Sequence, residues 1–350
     1  MANIFLAKVG QKILFNRDCE EAKRSNANGS VGISNLVKLL IENGKEHTWF
    51  LMSESNYSGE YQNVIDCQNI SYTDFMFYQR KIEYGIIISG MPIYKGNRCT
   101  FIDKLKEFAG IKTILLNEDP RCLEAMCKFG EVAGHVDNYV DYRPFKIFGL
   151  CQYQQCTFND ITYDVEYIPL EHSLAFRAKV QEPIERKGHV IISNTVGNNQ
   201  REKIIEKLVA DDNIQVFGRF ENLKVNNYCG EVKYEDIQNI MSRIQSTLIL
   251  PNGDWVTGKY IECLCYNVLP VFYSTYDTDL IFRETSVKSG YKIAQAKGRN
   301  SYRNILGIMD SDDAGIQAGI IAYIKYLHKL FILPNVSGKP LYNKIINELI

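Results

Sequence analysis

A lysine and a glutamate three residues apart follow an apolar segment in the second half of the chain. Lys259 and Glu262 lie in the first turns of a helix predicted over 257–266, after the apolar segment Ser246–Leu250 and a turn cluster at 251–254. In an open α/β sheet, ligands bind beyond the carboxyl ends of the strands, against helix N-termini. There an ammonium could balance phosphate charge, and a carboxylate could accept hydrogen bonds from two ribose hydroxyls. A solvated helix start with two surface charges is the alternative, and this segment alone leaves both open.

A second candidate ligand site occupies Ser193–Lys203. The pattern predicts a strand end, a loop containing Gly197 and a helix that begins near Asn199. Free backbone N–H groups at a helix start favour a diphosphate, and Arg201 in the first turn could bind it with two hydrogen bonds. We include Thr195, in the same loop, among the donor-binding candidates. The segment lacks the P-loop pattern, and an ordinary strand-to-helix turn remains the alternative.

An aspartate just beyond another predicted strand is the candidate catalytic base. Asp119 follows the strand Lys112–Asn117, and Pro120 directs it away from helical angles before the next helix. A carboxylate held at the ligand edge of a sheet suits a general base, and Arg121 could orient it. A helix N-cap is the alternative, because Asp before Pro commonly occupies that position. One residue could do both.

A basic stretch in the first half could contact phosphates of a polynucleotide. It runs from Met91 to Lys106 and includes Lys95 and Arg98, interleaved with aromatic residues. A solvated helix face explains the same pattern. We therefore name Lys95 and Arg98 only as weak acceptor-binding candidates.

The sequence offers no clear metal-binding pattern. None of the ten cysteines forms a CxxC pair and the five histidines are scattered, so a zinc site is not expected. Asp277-Thr-Asp279 has the spacing of a metal-binding DxD motif, but it follows a strand of an α/β repeat and we interpret it as a loop. Asp310–Asp313 is interpreted as a helix N-cap region. We assign no metal-ligating residue.

Short apolar strands alternate with amphipathic helices throughout the chain. This alternation favours βαβ units and mainly parallel sheets. At 350 residues the chain exceeds one typical core, and Pro169, 181–183 and 186–188 mark a boundary region between two series. The predicted strands are Asn3–Val9, His47–Met52, Tyr84–Ser89, Lys112–Asn117, His189–Asn194, Ile214–Gly218, Ser246–Leu250 and Val268–Tyr273. The predicted helices are Gly29–Asn43, Thr100–Ala109, Asn199–Ala210, Tyr234–Arg243, Thr257–Tyr266, Ala314–Phe331 and Leu341–Ile350.

Composition narrows the range of partners. No apolar run reaches about 18 residues, so we expect no transmembrane helix and no membrane partner. The N-terminus lacks the pattern of a signal peptide, and reduced cytosolic thiols are expected. The net charge of −1 gives no overall basic excess, so any contact with DNA must rest on a local patch.

Together and in this order, these segments resemble the DNA β-glucosyltransferases of T-even bacteriophages, over nearly the whole chain. The resemblance implies a GT-B fold, which is α/β with two Rossmann-like doubly wound domains and a cleft between them. It implies an acceptor (DNA)-binding domain at residues 1–170, with a C-terminal helix at 336–350 packing back on it, and a UDP-sugar-binding domain at 171–335. The implied protein is a monomer in the cytoplasm of an infected host cell, where modification protects phage DNA from restriction.

The resemblance also assigns roles to individual residues. Arg201, in Gln200-Arg-Glu202, corresponds to a diphosphate-binding arginine, and Gly218 ends the matching segment Val216-Phe-Gly218. Val232 corresponds to the residue whose backbone binds uracil, and Glu262, in Thr257–Glu262, to the ribose-binding glutamate. Asp119, in Glu118–Arg121, corresponds to the catalytic aspartate.

The chain departs from the family at three positions. One phosphate-binding arginine corresponds to Gly197 and another to Lys259, where the two-pronged guanidinium geometry is lost. A glutamate near the donor sugar is lost around Gly32. These departures leave the identity of the donor sugar open, and a pentose such as arabinose is an alternative to glucose.

Three hypotheses follow. The first is an inverting transferase that moves a sugar from a UDP-sugar to 5-hydroxymethylcytosine in phage DNA, with Mg²⁺ as a candidate assistant. The second is a UDP-sugar-dependent transferase with a small-molecule or glycan acceptor, which the near-neutral charge favours. The third is an inactive GT-B fold that only binds nucleotide or DNA.

Overall fold

The described residues form two compact α/β units. The first comprises residues up to Phe176 together with Ser337–Ile350, and the second comprises Arg177–Val336. The computed structural model describes residues 1–8, 13–15, 28–53, 55–68, 72–89, 111–117, 145–149, 155–158, 161–193, 199–209, 214–250, 258–273 and 295–350.

An eight-stranded sheet forms the centre of the first unit. Its order is β3-β2-β1-β4-β5-β6-β8-β7, and all neighbours are parallel except β7 and β8. The strands are β1 (Asn3–Lys8), β2 (Thr48–Leu51), β3 (Val64–Asp66), β4 (Tyr84–Ser89), β5 (Lys112–Asn117), β6 (Lys146–Gly149), β7 (Gln155–Phe158) and β8 (Ile161–Tyr167). The helices are α1 (Asn28–Asn43), α2 (Tyr72–Gln79), a 3-10 helix (Leu170–Ala175) and the C-terminal helix, numbered last below.

The central strands separate two hydrophobic cores. Successive side chains of a strand point to opposite faces, and Ile86 and Ile88 of β4 belong to one core while Ile87 belongs to the other. All three are fully buried. A parallel sheet covered on both faces requires such continuous apolar strands, which is why these segments were predictable.

A second parallel sheet organises the second unit. It has six strands in the order β11-β10-β9-β12-β13-β14, and every pair is parallel. The strands are β9 (His189–Ile192), β10 (Gln215–Phe217), β11 (Tyr228–Gly230), β12 (Ser246–Ile249), β13 (Leu269–Tyr273) and β14 (Gln295–Ala296). The helices are α3 (Asn199–Val209), α4 (Tyr234–Met241), α5 (Lys259–Cys265), α6 (Arg299–Met309) and α7 (Ala314–Leu327).

The C-terminal helix α8 (Lys339–Leu349) completes the core of the first unit. It contacts α1, β5 and the 3-10 helix. Gly338 precedes it with a φ of +71°, and a Cβ there would lie 2.4 Å from Leu39 Cγ, so only glycine fits. Its buried side chains are Leu341, Tyr342, Ile345, Ile346 and Leu349.

In the part of the chain that the structure describes, one helical segment has the length and composition of a membrane span. Ala314–Asn335 comprises α7, a π-helical turn and a short 3-10 helix, with a mean hydropathy of 1.3 over its most apolar window. Core helices of globular proteins meet the same criteria, and 39% of this window is buried in the protein. Phe331 packs edge-on against Tyr260 at 5.5 Å between ring centroids. The Asp313 carboxylate accepts hydrogen bonds from the N–H groups of Gly315 and Ile316, which confirms the predicted N-cap.

Candidate functional site

The carboxyl ends of four neighbouring strands carry the described donor-binding candidates. Because all strands of the second sheet are parallel, these ends lie at one edge of the sheet. Gly218 directly follows β10, and Val232 follows β11 by two residues. Arg201 lies in the first turn of the helix after β9, while Lys259 and Glu262 lie on the helix after β12. The strand order changes direction at β9, which is where ligands of such sheets bind.

Gly218 lies where the ends of β9 and β10 approach each other closely. Its φ is +139°, and a Cβ at this position would lie 1.6 Å from the carbonyl oxygen of Ser193. Its N–H donates to the Gly230 carbonyl at 2.9 Å, and its own carbonyl accepts from the Tyr228 hydroxyl at 2.9 Å. A residue without a side chain is therefore required here, and its backbone is fixed on both sides.

Glu202, next to Arg201, positions the loop that follows Gly218. Glu202 is only 4% exposed, and its Oε1 accepts hydrogen bonds from the backbone N–H groups of Glu221 (2.8 Å) and Asn222 (3.2 Å). Hydrogen bonds to a charged group of this kind contribute about 1.5–3 kcal/mol. The sequence interpretation gave Glu202 no role. The available signal was its spacing, because Glu202 shares a helix face with Ile205 and Val209, which are buried.

Lys259 and Glu262 bind each other. The Lys259 ammonium lies 2.8 Å from Glu262 Oε2, and the two side chains are only 12% and 14% exposed. The helix that carries them is held by buried neighbours, including Tyr260 and Ile261. The sequence interpretation gave the two residues separate contacts with a nucleotide, whereas the structure joins them as one group.

Two cysteines beside this ion pair are neutral. Burial raises the pKa of the Cys263 thiol, and burial together with the Glu262 charge raises the pKa of Cys265 to about 12. Thiols of this kind are neither nucleophiles nor metal ligands at neutral pH. Ionic chemistry in this helix therefore rests on Lys259 and Glu262.

An exposed aromatic ring adjoins Gly218 and the start of the Val232 loop. Tyr228 is 41% exposed and packs edge-on against Phe220 at 5.4 Å between ring centroids. Its hydroxyl is the donor to the Gly218 carbonyl. Val232 itself is half-buried. The Tyr228 hydroxyl thus links β11 to the end of β10.

The remaining predicted site residues lie outside the described residues. These are Thr195 in the donor-binding group, Asp119 and Arg121 in the catalytic pair, and Lys95 and Arg98 in the basic stretch. Asp277 and Asp279 also lie outside them. Within the described ranges, no group of three or more His, Cys, Asp or Glu side chains is arranged to hold a metal ion.

In the first unit, the strand leading to Asp119 is placed as predicted. β5 ends at Asn117, which is fully buried, and it pairs with β4 along its whole length. Lys8 is the last residue of β1, which pairs with β4 on its other side, and it is only 2% exposed. The sequence interpretation did not single out Lys8. A lysine as the last residue of an apolar strand was the available signal.

A serine, a histidine and an aspartate form a chain of hydrogen bonds at the amino ends of the strands of the second sheet. His189 Nδ1 lies 2.7 Å from Ser246 Oγ, and His189 Nε2 lies 2.9 Å from Asp310 Oδ1. These residue types form the catalytic triad of hydrolases. Ser246 is fully buried, however, so its hydroxyl cannot reach a substrate. The chain links the starts of β9 and β12 to the end of α6.

Comparison with solved structures identifies the fold. A structure described as trehalose-6-phosphate from E. coli bound with UDP-2-fluoro glucose matches with a TM-score of 0.51 at 7% identity, covering 99% of this chain and 98% of that chain. A mutant of the Thermobaculum terrenum O-GlcNAc transferase matches with a TM-score of 0.52 at 10% identity, covering 99% of this chain and 66% of that chain. Trehalose-6-phosphate synthase, OtsA, matches at 0.50 with 9% identity, covering 99% and 98%.

These likenesses confirm the predicted fold class, which is the α/β GT-B fold with two Rossmann-like units. No protein-family model and no curated protein sequence matches the chain.

Proposed function

We propose that the protein is a glycosyltransferase that uses a UDP-sugar as donor. The observation that carries this proposal is that Arg201, Gly218, Val232, Lys259 and Glu262 follow the carboxyl ends of four adjacent parallel strands. That edge is where open α/β sheets bind nucleotides. A solved structure with the same fold is bound with UDP-2-fluoro glucose, which agrees with a donor of this class.

The proposed acceptor is the hydroxymethyl group of 5-hydroxymethylcytosine in phage DNA. The resemblance of the sequence to the phage DNA β-glucosyltransferases supports this choice. To expose the hydroxyl, the enzyme would turn the base out of the duplex, for which Lys95 and Arg98 are candidate phosphate contacts. As proposed, it acts as a monomer in the cytoplasm.

The proposed reaction is an inverting displacement. Asp119 removes the proton from the acceptor hydroxyl, whose oxygen attacks the anomeric carbon while the bond to the diphosphate breaks. UDP departs with the bonding electron pair, and the Arg201 guanidinium offsets its growing charge. Arg121 orients Asp119. Mg²⁺ would assist by offsetting charge on the diphosphate, and no described residue is assigned to hold it.

Mass spectrometry of nucleosides tests the donor and acceptor together. Hydroxymethylated DNA is incubated with a panel of UDP-hexoses and UDP-pentoses, and UDP release is measured in parallel. One sugar mass added to 5-hydroxymethyl-2′-deoxycytidine, with one UDP released per transfer, is expected for one donor. Absence of UDP release with every donor and acceptor would contradict the proposed transferase and favour a fold that only binds its ligands.

A small-molecule or glycan acceptor is the second candidate, and the net charge of −1 favours it. DNA binding through phosphates weakens steeply with salt because counterions are released. UDP release that depends on a glycan and not on modified DNA would support this candidate. A steep salt dependence of binding to modified DNA would argue for the DNA acceptor.

Replacing the proposed base gives a direct mechanistic prediction. In Asp119→Asn, turnover should fall by about 10²–10⁴, because an amide cannot accept the acceptor proton. The affinity for UDP should stay unchanged, since the proposed role of Asp119 is on the acceptor hydroxyl. Steady-state rates and calorimetric UDP titration measure the two effects. Asp74→Asn, the same change at an exposed position of a helix in the first unit, is the matched control. Full activity of Asp119→Asn would remove Asp119 from the mechanism.

A further inference from the structure

The Lys259–Glu262 ion pair is largely withdrawn from water. Its N–O distance is 2.8 Å, and its members are 12% and 14% exposed. By contrast, Lys187 and Asp312 of the same unit pair at the same distance with side chains 69% and 87% exposed. Exposed pairs are weakly coupled, whereas separating a buried pair leaves a charge without compensation. Lys259 and Glu262 therefore depend on each other in a way that surface pairs do not.

The helix under the pair is fixed, so the rotamers of the two side chains determine where the carboxylate lies. Tyr260 is 1% exposed and packs against Phe272 at 5.7 Å and Phe331 at 5.5 Å between ring centroids. The Lys259 ammonium donates its hydrogen bond to Oε2 of Glu262 at 2.8 Å. A carboxylate held by one oxygen presents the other in a defined direction.

We propose that Lys259 is a positioning residue, which holds the Glu262 carboxylate for the ribose hydroxyls of the donor instead of contacting the diphosphate. The proposal rests on the proposed UDP-sugar donor. A phosphate that drew Lys259 away would leave the carboxylate unpaired in a largely buried place, which is unfavourable. Diphosphate recognition then rests on Arg201 and backbone N–H groups. The lysine at this position thus acts on the nucleoside part of the donor.

Binding of uridine, which has no phosphate, separates the two roles of Lys259. Affinities for uridine and UDP are measured by calorimetry, with ligand-detected NMR for weak binding. In Lys259→Met, both affinities should fall by the same factor, about tenfold, because the carboxylate loses its orientation. In Glu262→Gln a similar fall is expected, and adding Lys259→Met to it should cause little further loss. Lys187→Met, which breaks the exposed pair, is the matched control and should change neither affinity.

A conservative variant keeps the test valid if Lys259→Met unfolds. Lys259→Gln retains a hydrogen-bond donor beside Glu262 without a charge, and it should restore most of the uridine affinity. Loss of UDP affinity with unchanged uridine affinity, in either variant, would overturn the positioning role and leave the UDP-sugar function standing. If the unchanged protein bound neither uridine nor UDP, the proposed function and this inference would both be overturned.

Discussion

At the scale of single residues, Gly218 has the least room for a Cβ among the described glycines. Its φ of +139° strains any residue with a Cβ, and that Cβ would lie 1.6 Å from the Ser193 carbonyl oxygen. Both effects are steric and cannot be relieved by rotating a side chain. The strand ends that flank the candidate donor site would have to separate.

Gly218→Ala should lower the free energy of unfolding by about 2–5 kcal/mol, the sum of backbone strain and overpacking. Urea unfolding followed by circular dichroism measures the change. Gly230→Ala is the matched control, because Gly230 also has a positive φ, +89°, but no atom lies within 4 Å of the added Cβ. It should lose only the strain contribution, about 1–2 kcal/mol. Equal losses in the two variants would show that the approach to Ser193 is unimportant.

The sequence indicated candidate residues for the donor site but not the contact between two of them. Lys259 and Glu262 were identified together, yet as two separate nucleotide contacts. Their spacing of three residues on a helix is also the spacing of an ion pair, and the structure shows that pair with both side chains largely buried. Burial depends on contacts with Phe272 and Phe331, which are distant in sequence. Local pattern therefore could not decide between the two arrangements.

At the scale of secondary structure, one arginine joins the ends of two helices. Arg186 Nη1 donates to the carbonyls of Met241 (3.1 Å), at the end of α4, and Tyr266 (2.7 Å), just after α5. A cation is favourable at helix C-termini, where carbonyls lack partners within the helix. Burial lowers the pKa of Arg186, but an arginine stays charged at neutral pH.

Arg186→Met should destabilise the second unit by about 2–4 kcal/mol, because two carbonyl groups lose a charged donor. Chemical unfolding measures the loss, and limited proteolysis should show earlier cleavage near α4 and α5. Arg243→Met removes an exposed arginine of the same unit and should change stability by less than about 0.5 kcal/mol. If the two variants were equally stable, the two helix ends would not depend on Arg186.

Element boundaries were predictable where the apolar run is continuous. The predicted bounds of Tyr84–Ser89 and Lys112–Asn117 agree with the structure, because strands buried on both faces have an unbroken pattern. The short edge strands Val64–Asp66 and Tyr228–Gly230 were missed, since three half-exposed residues carry no periodicity. The helix Arg299–Met309 was also missed.

At the scale of the whole molecule, the alternation of strands and helices predicted the α/β class, because each βαβ unit leaves its own local pattern. By contrast, the C-terminal helix packs into the core of the first unit through residues nearly 300 positions apart in sequence. Tyr342 donates to Glu46 at 3.1 Å, and Asn43 donates to the Ser337 carbonyl at 3.0 Å. Contacts of this range follow from packing, and only the apolar face of the helix is visible in the sequence.

Buried and half-buried histidines make the stability of the protein depend on pH. Burial lowers the pKa of His172 to about 4, and it also lowers the pKa values of His47 and His328. An unfolded histidine has a pKa of about 6.5. Between about pH 6.5 and pH 4 the unfolded chain therefore binds protons that the folded protein does not. The free energy of unfolding should fall as the pH falls through this window.

The contribution of His172 is separable from that of the other groups. A pKa shift from about 6.5 to about 4 corresponds to at most about 3–4 kcal/mol, which is lost as the pH falls from about 6.5 through about 4. Urea unfolding at closely spaced pH values should therefore give a shallower slope for His172→Gln than for the unchanged protein, since glutamine does not titrate. An unchanged slope would mean that His172 is protonated equally in both states, and that its burial does not limit the stability of the first unit in acid.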